Sequence, residues 1–433
     1  MELRLDRLLS KLRDNAAAIL EAIDRDPRLL KRQSGPLVLA NASQALYTPQ
    51  QEHQLYAKGI VYLRDPYRLV SLPLIKIYNL GERDVTAVEL ASLTNEPNVR
   101  LRFLQKIDGS LIQVFRHDGR IWFTTRGMIE GASFRPPTGA VGPASPRSDP
   151  LSEDTGEFDY LGTARRLAAE RYPRLLDDAD LLDSRTLVFE LIHPQAKKIT
   201  DYGERSDLIL LSCFDTRRLS YATYPEVVAL AKMHDLTAVD ALSPQGMTLA
   251  EQIDDLLVAL AGTDQEGCVV QFDNEQEVIY RVKVKTPGYL RRMRAIADCT
   301  YENFAALMNG QEHLTSWQDV EAFLRARGRE EMPEEVLQCY RPHYERFIAY
   351  LADCERLSRW AMQTRDELER QLGGKQGRDA ADYRKSFAAL ATRYRHAALL
   401  FAALDGRLDR ERLRRLIRDP EQAQQALSDL GLT

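Results

Sequence analysis

The segment 106–110, which reads K-I-D-G-S, constrains the fold of this chain most strongly. Apolar-weighted runs at 101–105 and 111–115 flank it on either side. An Asp118-Gly119 pair then separates the second run from another at 121–125, and Asp-Gly between such runs is a strong hairpin signal. We therefore predict that Lys106 lies at the end of a strand, at the mouth of a curved antiparallel sheet.

A lysine at a strand end is chemically useful when its neutral amine attacks another atom. At an unperturbed pKa near 10.4, roughly one amine in a few thousand is neutral at pH 7. Lowering this pKa by about 3 units costs about 4 kcal/mol, which nearby cations, a metal ion or burial can supply. The pattern therefore predicts further charged groups close to Lys106.

Other segments of the sequence offer such groups. Lys283 and Lys285 alternate along one predicted strand, so that both side chains point to the same face. Glu266 precedes a glycine and a short β-branched strand, and Glu190 ends an apolar strand at 186–190. A lysine nucleophile with two acids and a lysine pair suits phosphate chemistry assisted by a divalent metal.

Five motifs in this order carry a family resemblance: K-I-D-G-S, F-T-T-R-G, F-E-L-I-H-P, E-G-C-V-V and K-V-K-T. Together they resemble the covalent nucleotidyltransferases, which include ligases and capping enzymes. The sequence is most similar to the RNA ligase 1 type, and the resemblance extends over about residues 50–290 with an upstream signature at 58–80. It implies an α+β fold, with an ATP-grasp-like nucleotidyltransferase domain of antiparallel sheets and flanking helices.

The resemblance also implies a role for each matching residue. Lys106 is the expected nucleophile, and Lys283 and Lys285 neutralise the α-phosphate. Glu266 positions the shell of the metal, and Glu190 contacts the ribose or orders metal-bound water. The remaining residues assigned to the nucleotide site are Gly109 of the first motif, Lys58 and Lys76 for the outgoing phosphates, Arg126 for a phosphate, and Leu211 with Val269 around the adenine.

Each of these assignments has a simpler alternative. Lys58 and Lys76 also fit solvated surface lysines, and Arg126 fits a turn residue. Glu190 fits an acid that pairs with a neighbouring lysine, while the two apolar residues of the adenine site fit ordinary core positions. Position 58 is more often arginine in the family, and lysine retains the charge but loses the bidentate geometry.

The sequence predicts two domains. Residues 1–290 form the predicted adenylyltransferase domain, which begins with an amphipathic helix ending near Asp26-Pro27 and contains a mobile loop at 133–154 rich in Pro, Gly and Ser. Helical periodicity is predicted at 160–182. Residues 291–433 have helical spacing throughout and predict an all-α C-terminal domain that binds RNA. They show no alternation typical of the OB-fold barrel that follows this domain in DNA ligases and capping enzymes.

The predicted RNA-binding face rests on arginines near the end of the chain. Acidic residues are interspersed among them, so that a solvated helix surface remains the alternative. These basic positions, with one tyrosine, are Arg393, Tyr394, Arg395, Arg407, Arg410, Arg412, Arg414, Arg415 and Arg418.

Composition sets the remaining expectations. The formal net charge of −5 gives no global basic field, so that any RNA site must be a local patch. The five cysteines lack C-x-x-C spacing, which argues against disulfides and a zinc site and favours a reducing, cytoplasmic location. The sequence shows no membrane helix, and nothing in it indicates an obligate protein partner.

The combined expectation is an ATP-dependent RNA ligase that uses ATP and Mg²⁺, with Mn²⁺ able to substitute. Its partner would be RNA, and the resemblance points to nicked tRNA. Two alternatives stay open: another covalent nucleotidyltransferase, such as a DNA ligase or a capping guanylyltransferase, and an RNA-binding relative without catalysis.

Overall fold

The structure, a computed structural model, describes most of the chain. The described residues are 4–42, 51–82, 85–131, 133–135, 158–311, 313–314, 316–327, 334–374 and 379–432. The chain divides into two compact units, Met1–Arg294 and Ala295–Thr433.

The first unit contains all the strands of the described chain. These are β1 (Leu29–Ser34), β2 (Leu37–Ala42), β3 (Lys58–Arg64), β4 (Tyr67–Ser71), β5 (Tyr78–Asn79), β6 (Arg100–Gln105), β7 (Ser110–His117), β8 (Arg120–Thr125), β9 (Ser133–Arg135), β10 (Arg185–Ile192), β11 (Asp207–Asp215), β12 (Ser220–Tyr221), β13 (Thr237–Ala238), β14 (Ala241–Leu242), β15 (Gly267–Asp273) and β16 (Val278–Lys285).

Helices occur in both units. Those that begin in the first unit are α1 (Leu5–Arg25), α2 (Ala87–Thr94), α3 (Tyr160–Arg171), α4 (Pro173–Asp177), α5 (Ala179–Ser184), α6 (Tyr224–Met233), α7 (Leu249–Ala259) and α8 (Pro287–Ala297). The second unit contains α9 (Tyr301–Leu307), α10 (Trp317–Arg327), α11 (Glu334–Gln371), α12 (Ala380–Ala391), α13 (Ala397–Leu404), α14 (Arg410–Leu416) and α15 (Pro420–Asp429). Two short 3-10 helices, Glu52–Leu55 and Pro194–Ala196, complete the set.

The strands form three sheets. The first sheet has the order β4-β3-β2-β1-β9, the second β12-β11-β10-β7-β8 with β13 added beside β11, and the third β14-β6-β15-β16-β5. Neighbouring strands are antiparallel except at β11–β13 and β16–β5. The predicted α+β class, with antiparallel sheets followed by helices, is confirmed.

The K-I-D-G-S segment connects two of these sheets. β6, which precedes Lys106, belongs to the third sheet, whereas β7, which begins at Ser110, belongs to the second. Lys106 lies directly after the end of β6, as predicted, but the strands on its two sides belong to different sheets. β6 pairs with β15, whereas β7 pairs with β8 and β10.

The predicted hairpin is confirmed between β7 and β8. Its register pairs His117 with Arg120 across the turn. Asp118 and Gly119 have φ values of 49° and 73°, the left-handed conformation that both central residues of a type I′ turn require. The Asp-Gly pair therefore forms the turn for the reason that the sequence indicated.

Helix α1 packs on the large core that the first and third sheets share. Leu5, Leu8, Leu9 and Leu12 are buried at i, i+3, i+4 and i+7, the spacing of one helix face. The helix ends at Arg25, just before Asp26-Pro27, because proline lacks the amide proton that would continue the helix. The prediction of an amphipathic helix ending there is confirmed.

Two other predictions in the first unit differ from the structure. The helical periodicity at 160–182 corresponds to three short helices, α3 to α5, because Pro173 begins a new helix at its first position. Residues 133–135 of the predicted mobile loop form strand β9, which pairs with β1. The rest of that loop, 136–154, lies outside the described residues.

The second unit is helical in every part that the structure describes, as the sequence predicted. Gly373 and Gly374 follow α11, Gly406 follows α13, and all three have positive φ angles that end a helix without strain. Pro420 begins α15 at its first position. Across both units, no described helix combines the length and the apolar character needed to cross a bilayer.

Burial of the α1 leucines predicts a measurable stability effect. Leu9 is fully buried, and truncation to Ala should lower the free energy of unfolding of the first unit by about 2–5 kcal/mol through lost contacts and a cavity. Urea denaturation followed by circular dichroism measures the change. Val258→Ala, at a position 75% exposed, is the control and should change stability by less than about 0.5 kcal/mol. Equal changes in both variants would contradict the packing of α1.

Candidate active site

The first unit contains a cleft of about 610 Å³. Strands of all three sheets contribute to it, and the end of β6 and the start of β7 lie on its wall. Nine of the eleven predicted site residues line this cleft. They are Lys106, Gly109, Arg126, Glu190, Leu211, Glu266, Val269, Lys283 and Lys285.

Lys106 is fixed at the cleft by its backbone and by its amine. Its amide donates a hydrogen bond to the Gly267 carbonyl at 3.0 Å, which extends the β6–β15 pairing by one residue. Its Nζ contacts a carboxylate oxygen of Glu266, and the other oxygen of Glu266 lies 2.8 Å from the Nζ of Lys285. One buried carboxylate therefore bridges two ammonium groups.

The electrostatic environment of Lys106 differs from the expectation of a lowered pKa. Burial acts to lower the pKa of the amine, but the carboxylates of Glu266 and Glu190 outweigh burial and raise it above the ordinary value. For Glu266, burial alone would raise the pKa, yet Lys106 and Lys285 hold it below the usual range. The pair is therefore charged at neutral pH in the ligand-free chain, and the Lys106 amine is protonated there.

Lys283 shows the opposite shift. It is one pleat period from Lys285 on β16, so both lysines face the cleft as the alternation predicted. Burial, followed by repulsion from Lys106, lowers the pKa of Lys283 to about 7. This cleft therefore contains an amine that is partly neutral near pH 7 and gains charge readily when an anion approaches.

Asp108 holds the connection between the two sheets, a role that sequence reasoning missed. Its Oδ2 accepts hydrogen bonds from the amides of Ile199 and Thr200, both at 2.9 Å, and its Oδ1 accepts one from the Tyr289 hydroxyl at 2.9 Å. The Asp108 amide in turn donates to the Tyr202 hydroxyl at 2.9 Å. Asp108 is thus a structural acceptor that orients the turn after Lys106, and no local pattern marks its distant partners.

Gly109 allows the turn to approach strand β10 closely. Its amide donates to a carboxylate oxygen of Glu190 at 3.1 Å. A Cβ atom built on Gly109 would lie 2.4 Å from the Leu191 carbonyl oxygen and 3.0 Å from the Glu190 Cγ, so a side chain there would displace backbone. Glycine at this position therefore keeps Glu190 beside the lysine turn.

The apolar pair predicted around the adenine lies in the same cleft. Leu211 and Val269 both line it, together with Ser212 and Gln271, two polar residues that sequence reasoning did not select. Arg281 donates from its Nε to Gln271 at 2.7 Å and from its Nη2 to Ser212 at 2.9 Å. This buried guanidinium joins β16 and β15 of the third sheet to β11 of the second, and thereby fixes the separation of the two apolar residues.

Lys58 and Lys76 are absent from the described lining of the cleft. Lys76 lies 3.2 Å from Glu82 and above the ring of Tyr78. Burial, with repulsion from Arg126 and Lys76, lowers the pKa of Lys58 to about 8. The predicted phosphate residues 58, 76 and 126 are therefore close enough to interact, although only the arginine borders the cleft.

Gly59 explains why the strand of Lys58 comes so near Arg126. Its φ of +98° belongs to the region that favours glycine, and a Cβ there would lie 3.1 Å from the Arg126 Cα. Gln113 of β7 donates to the Gly59 carbonyl at 2.7 Å and holds β3 in place. The first sheet therefore presents its β3 lysine to the arginine of the T-T-R-G turn.

The donor set of the cleft fits a hard divalent cation with few protein ligands. The cleft presents the carboxylates of Glu190 and Glu266, and no group of three or more His, Cys, Asp or Glu suited to a metal exists among the described residues. Mg²⁺ commonly binds through one or two carboxylates while it retains waters and contacts substrate phosphates. These two carboxylates would hold such an ion.

Comparisons with known proteins identify one family. A family model described as RNA ligase matches residues 56–289. No curated protein sequence matches the chain.

Among solved structures, a Naegleria gruberi RNA ligase with ATP and Mn, carrying a lysine-to-alanine mutation, is 15% identical over 50% of this chain and 57% of that chain, with a TM-score of 0.34. The same ligase with PPi is 14% identical over 51% and 57%, with a TM-score of 0.35. A candidate ATP-dependent DNA ligase from Aquifex aeolicus is 12% identical over 75% and 77%, with a TM-score of 0.41. The chain thus spans a little over half of the Naegleria protein.

The lowered pKa values of Lys283 and Lys58 predict proton uptake on anion binding. At pH 8, roughly nine-tenths of the Lys283 amines are neutral, because their pKa is about 7. A bound polyphosphate raises this pKa, so that the site takes up protons at pH 8 but takes up fewer at pH 6, where the amine is already charged. Calorimetric titration with tripolyphosphate, in buffers of different ionisation enthalpy, measures the uptake.

A matched pair of variants assigns the protons. Lys283→Met should take up fewer protons at pH 8 than the wild type, by close to one. Lys232→Met, which removes an exposed lysine of α6, should match the wild type. Identical uptake in all three proteins would show that Lys283 does not respond to the anion.

Proposed function

Because the chain belongs to the RNA ligase family, we propose that it is an ATP-dependent enzyme that joins an RNA 5′-phosphate to an RNA 3′-hydroxyl. One observation carries this proposal beyond family membership: Lys106, Lys283 and Lys285 lie in a single cleft with Glu190 and Glu266. That arrangement supplies a nucleophile, cations for phosphate oxygens and carboxylates for a metal.

In the first step, the neutral Lys106 amine attacks the α-phosphorus of ATP. An Nζ–P bond forms, the bond from this phosphorus to the oxygen bridging to the β-phosphate breaks, and pyrophosphate leaves. The amine loses its proton, and the product is a lysyl-AMP phosphoramidate. Lys283 and Lys285 provide positive charge where negative charge accumulates on the phosphate oxygens, which is the main protein contribution to such displacements.

Release of the Lys106 proton requires a change in its carboxylate neighbours. Glu266 and Glu190 raise the pKa of the amine in the ligand-free chain. A divalent cation bound by these carboxylates would neutralise their charge, lower the pKa of Lys106 and polarise the α-phosphate. The Lys106–Glu266 contact therefore keeps the nucleophile protonated until the substrates have assembled.

Two further displacements complete the proposed reaction. An oxygen of the RNA 5′-phosphate attacks the lysyl-AMP phosphorus, which breaks the Nζ–P bond and forms an RNA-adenylate. The RNA 3′-hydroxyl then attacks the 5′-phosphorus, a phosphodiester bond forms, and AMP leaves. All three displacements occur at phosphorus and use the same cations, which explains why lysines rather than general acids dominate the cleft.

The second unit is proposed to contact RNA, and several of its arginines are already engaged. Arg395 pairs with Asp429 at 2.6 Å, and Arg415 contacts Glu411. The Arg414 guanidinium lies 5.5 Å from the centre of the Phe347 ring. An RNA backbone would have to compete with the acids that pair with these arginines. RNA contact is therefore proposed for the arginine-rich face of the second unit as a whole and not for any single arginine.

Nicked tRNA is the proposed substrate within the RNA class, in an RNA-repair role in the cytoplasm.

The covalent step is tested by transfer of radiolabel from nucleotide to protein. Incubation with α-labelled ATP and Mg²⁺ should give an acid-labile label on wild type and on Lys232→Ala, an exposed lysine control. Lys106→Ala should show only the background of a protein-free reaction, because the attacking amine is missing. Denaturing electrophoresis measures the label.

Other outcomes of this test identify other enzymes. Label from GTP in place of ATP would indicate a capping guanylyltransferase. Sealing of DNA ends in place of RNA ends would indicate a DNA ligase. If neither nucleotide labels protein free of bound AMP, the ligase mechanism is wrong and an RNA-binding role without catalysis remains.

The proposed metal is tested by chelation and by carboxamide variants. Excess EDTA should abolish labelling by ATP, and added Mg²⁺ or Mn²⁺ should restore it. Glu190→Gln should need about tenfold more Mg²⁺ for the half-maximal rate, since it removes one charged ligand. Glu275→Gln, at an exposed position, is the matched control. Labelling that persists in EDTA would contradict a metal-assisted first step.

A further inference from the structure

Two cysteines of the second unit lie in contact with each other. Cys299 follows α8 and is 4% exposed, whereas Cys339 is half-buried on α11. Their thiols are hydrogen-bonded to each other. All five cysteines lie among the described residues, and none of them forms a disulfide bond there. The second unit therefore holds two reduced thiols side by side.

Other contacts hold the helix of Cys339 against the segment around Cys299. His343, one turn further along the same face of α11, has its Nε2 3.1 Å from the Cys299 carbonyl oxygen. The ring centroids of Tyr340 and the fully buried Phe304 lie 5.9 Å apart. This part of α11 therefore packs on α9 and on the residues just before it, so that tertiary packing sets the contact between the two thiols.

The other three cysteines are poorly placed for exchange with this pair. Cys354 lies on α11, 15 residues beyond Cys339. That separation is about 22 Å along a helix, whereas a disulfide needs Cα atoms within about 7 Å of each other. Cys213 and Cys268 belong to the first unit, and burial raises the pKa of each thiol to about 12. Because the thiolate is the reactive form, these two react slowly at neutral pH.

The two thiols of the pair differ in their access to a dissolved oxidant. Cys339 is half-buried and open to a small molecule, whereas Cys299 is almost completely covered. The hydrogen bond with Cys339, together with burial, also raises the pKa of the Cys299 thiol. Cys339 therefore reacts first with an oxidant, and Cys299 completes the exchange from within the protein.

We propose that Cys299 and Cys339 are a site of oxidative modification, at which a small-molecule disulfide such as oxidised glutathione converts the two thiols into a disulfide bond. The Cys339 thiolate attacks one glutathione sulfur, a mixed disulfide forms, and one glutathione leaves. The Cys299 thiolate then attacks the Cys339 sulfur, the bond between the two cysteines forms, and the second glutathione leaves. Both protein thiols give up their protons, and two electrons reduce one oxidised glutathione to two glutathione thiols.

The bond tethers α11 to the segment that precedes α9. It closes a loop that contains α9 and α10. Such a link restricts the unfolded chain more than the folded chain, in which the two thiols are already in contact. The oxidised second unit is therefore more stable than the reduced one. This inference does not depend on the proposed ligase function.

Exchange of the full chain with oxidised glutathione at pH 8 tests the proposal. After alkylation of the remaining thiols and proteolysis without reductant, mass spectrometry should find the 299–339 cross-link about tenfold or more above any other cysteine pairing, because no other pair has the required geometry. Calorimetry should show the unfolding transition of the second unit raised by roughly 10 °C relative to the reduced chain. A phosphine reductant should reverse both changes.

Three variants identify the role of each thiol. Cys299→Ala should accumulate the mixed disulfide with glutathione on Cys339, because the thiol that completes the exchange is missing. Cys339→Ala should leave Cys299 reduced, because the remaining thiol is covered. Cys354→Ala, the matched control on the same helix, should form the same cross-link as the wild type. Circular dichroism before oxidation checks that each variant is folded.

Two results with the wild type alone would overturn the proposal. One is a folded protein in which Cys339 retains glutathione, or in which the 299–339 cross-link appears only in urea. The other is a cross-link that forms in the folded chain but leaves the unfolding temperature unchanged, since the bond would then not tether α11.

Discussion

The buried carboxylate of Glu266 is the constraint on which the rest of the cleft depends. It contacts the ammonium groups of Lys106 and Lys285, and it immediately precedes β15, whose first residue pairs with Lys285 and accepts a hydrogen bond from Lys106. Desolvation makes an isolated buried charge costly, and removal of one partner leaves the others uncompensated. The ends of β6, β15 and β16 therefore meet around one charge cluster, so the arrangement that holds the strands also restrains the amine of Lys106, the proposed nucleophile.

This cluster prepares the cleft for a change in charge. The Lys106 ammonium is stabilised by two carboxylates, while Lys283, buried beside it, is partly neutral near pH 7. A bound triphosphate would favour the charged form of Lys283. A divalent cation would compete for the carboxylates that stabilise the Lys106 ammonium, and would thereby favour its neutral form. In the proposed reaction, binding of ATP and the metal would thus be linked to deprotonation of Lys106 through the same ionic contacts.

Local patterns predicted the parts of this site that depend on strand periodicity and turn chemistry. Alternation placed Lys283 and Lys285 on one face, and the Asp-Gly pair located the β7–β8 hairpin. The sequence did not indicate that β6 and β7 belong to different sheets, because strand pairing depends on partners far along the chain. Asp108 was missed for the same reason, because it bonds to residues 199, 200 and 289. The pKa of Lys106 is raised partly by its contact with Glu266, which lies 160 positions away in the sequence.

The charge balance of the chain bears on how RNA, the proposed substrate, would be recognised. A net charge of −5 provides no long-range attraction for a polyanion, and arginines such as Arg395 and Arg415 are paired with acids in the second unit. Attraction to phosphates is therefore confined to short distances, where it cannot distinguish RNA from DNA. Discrimination then depends on groups that read the sugar at the reacting end.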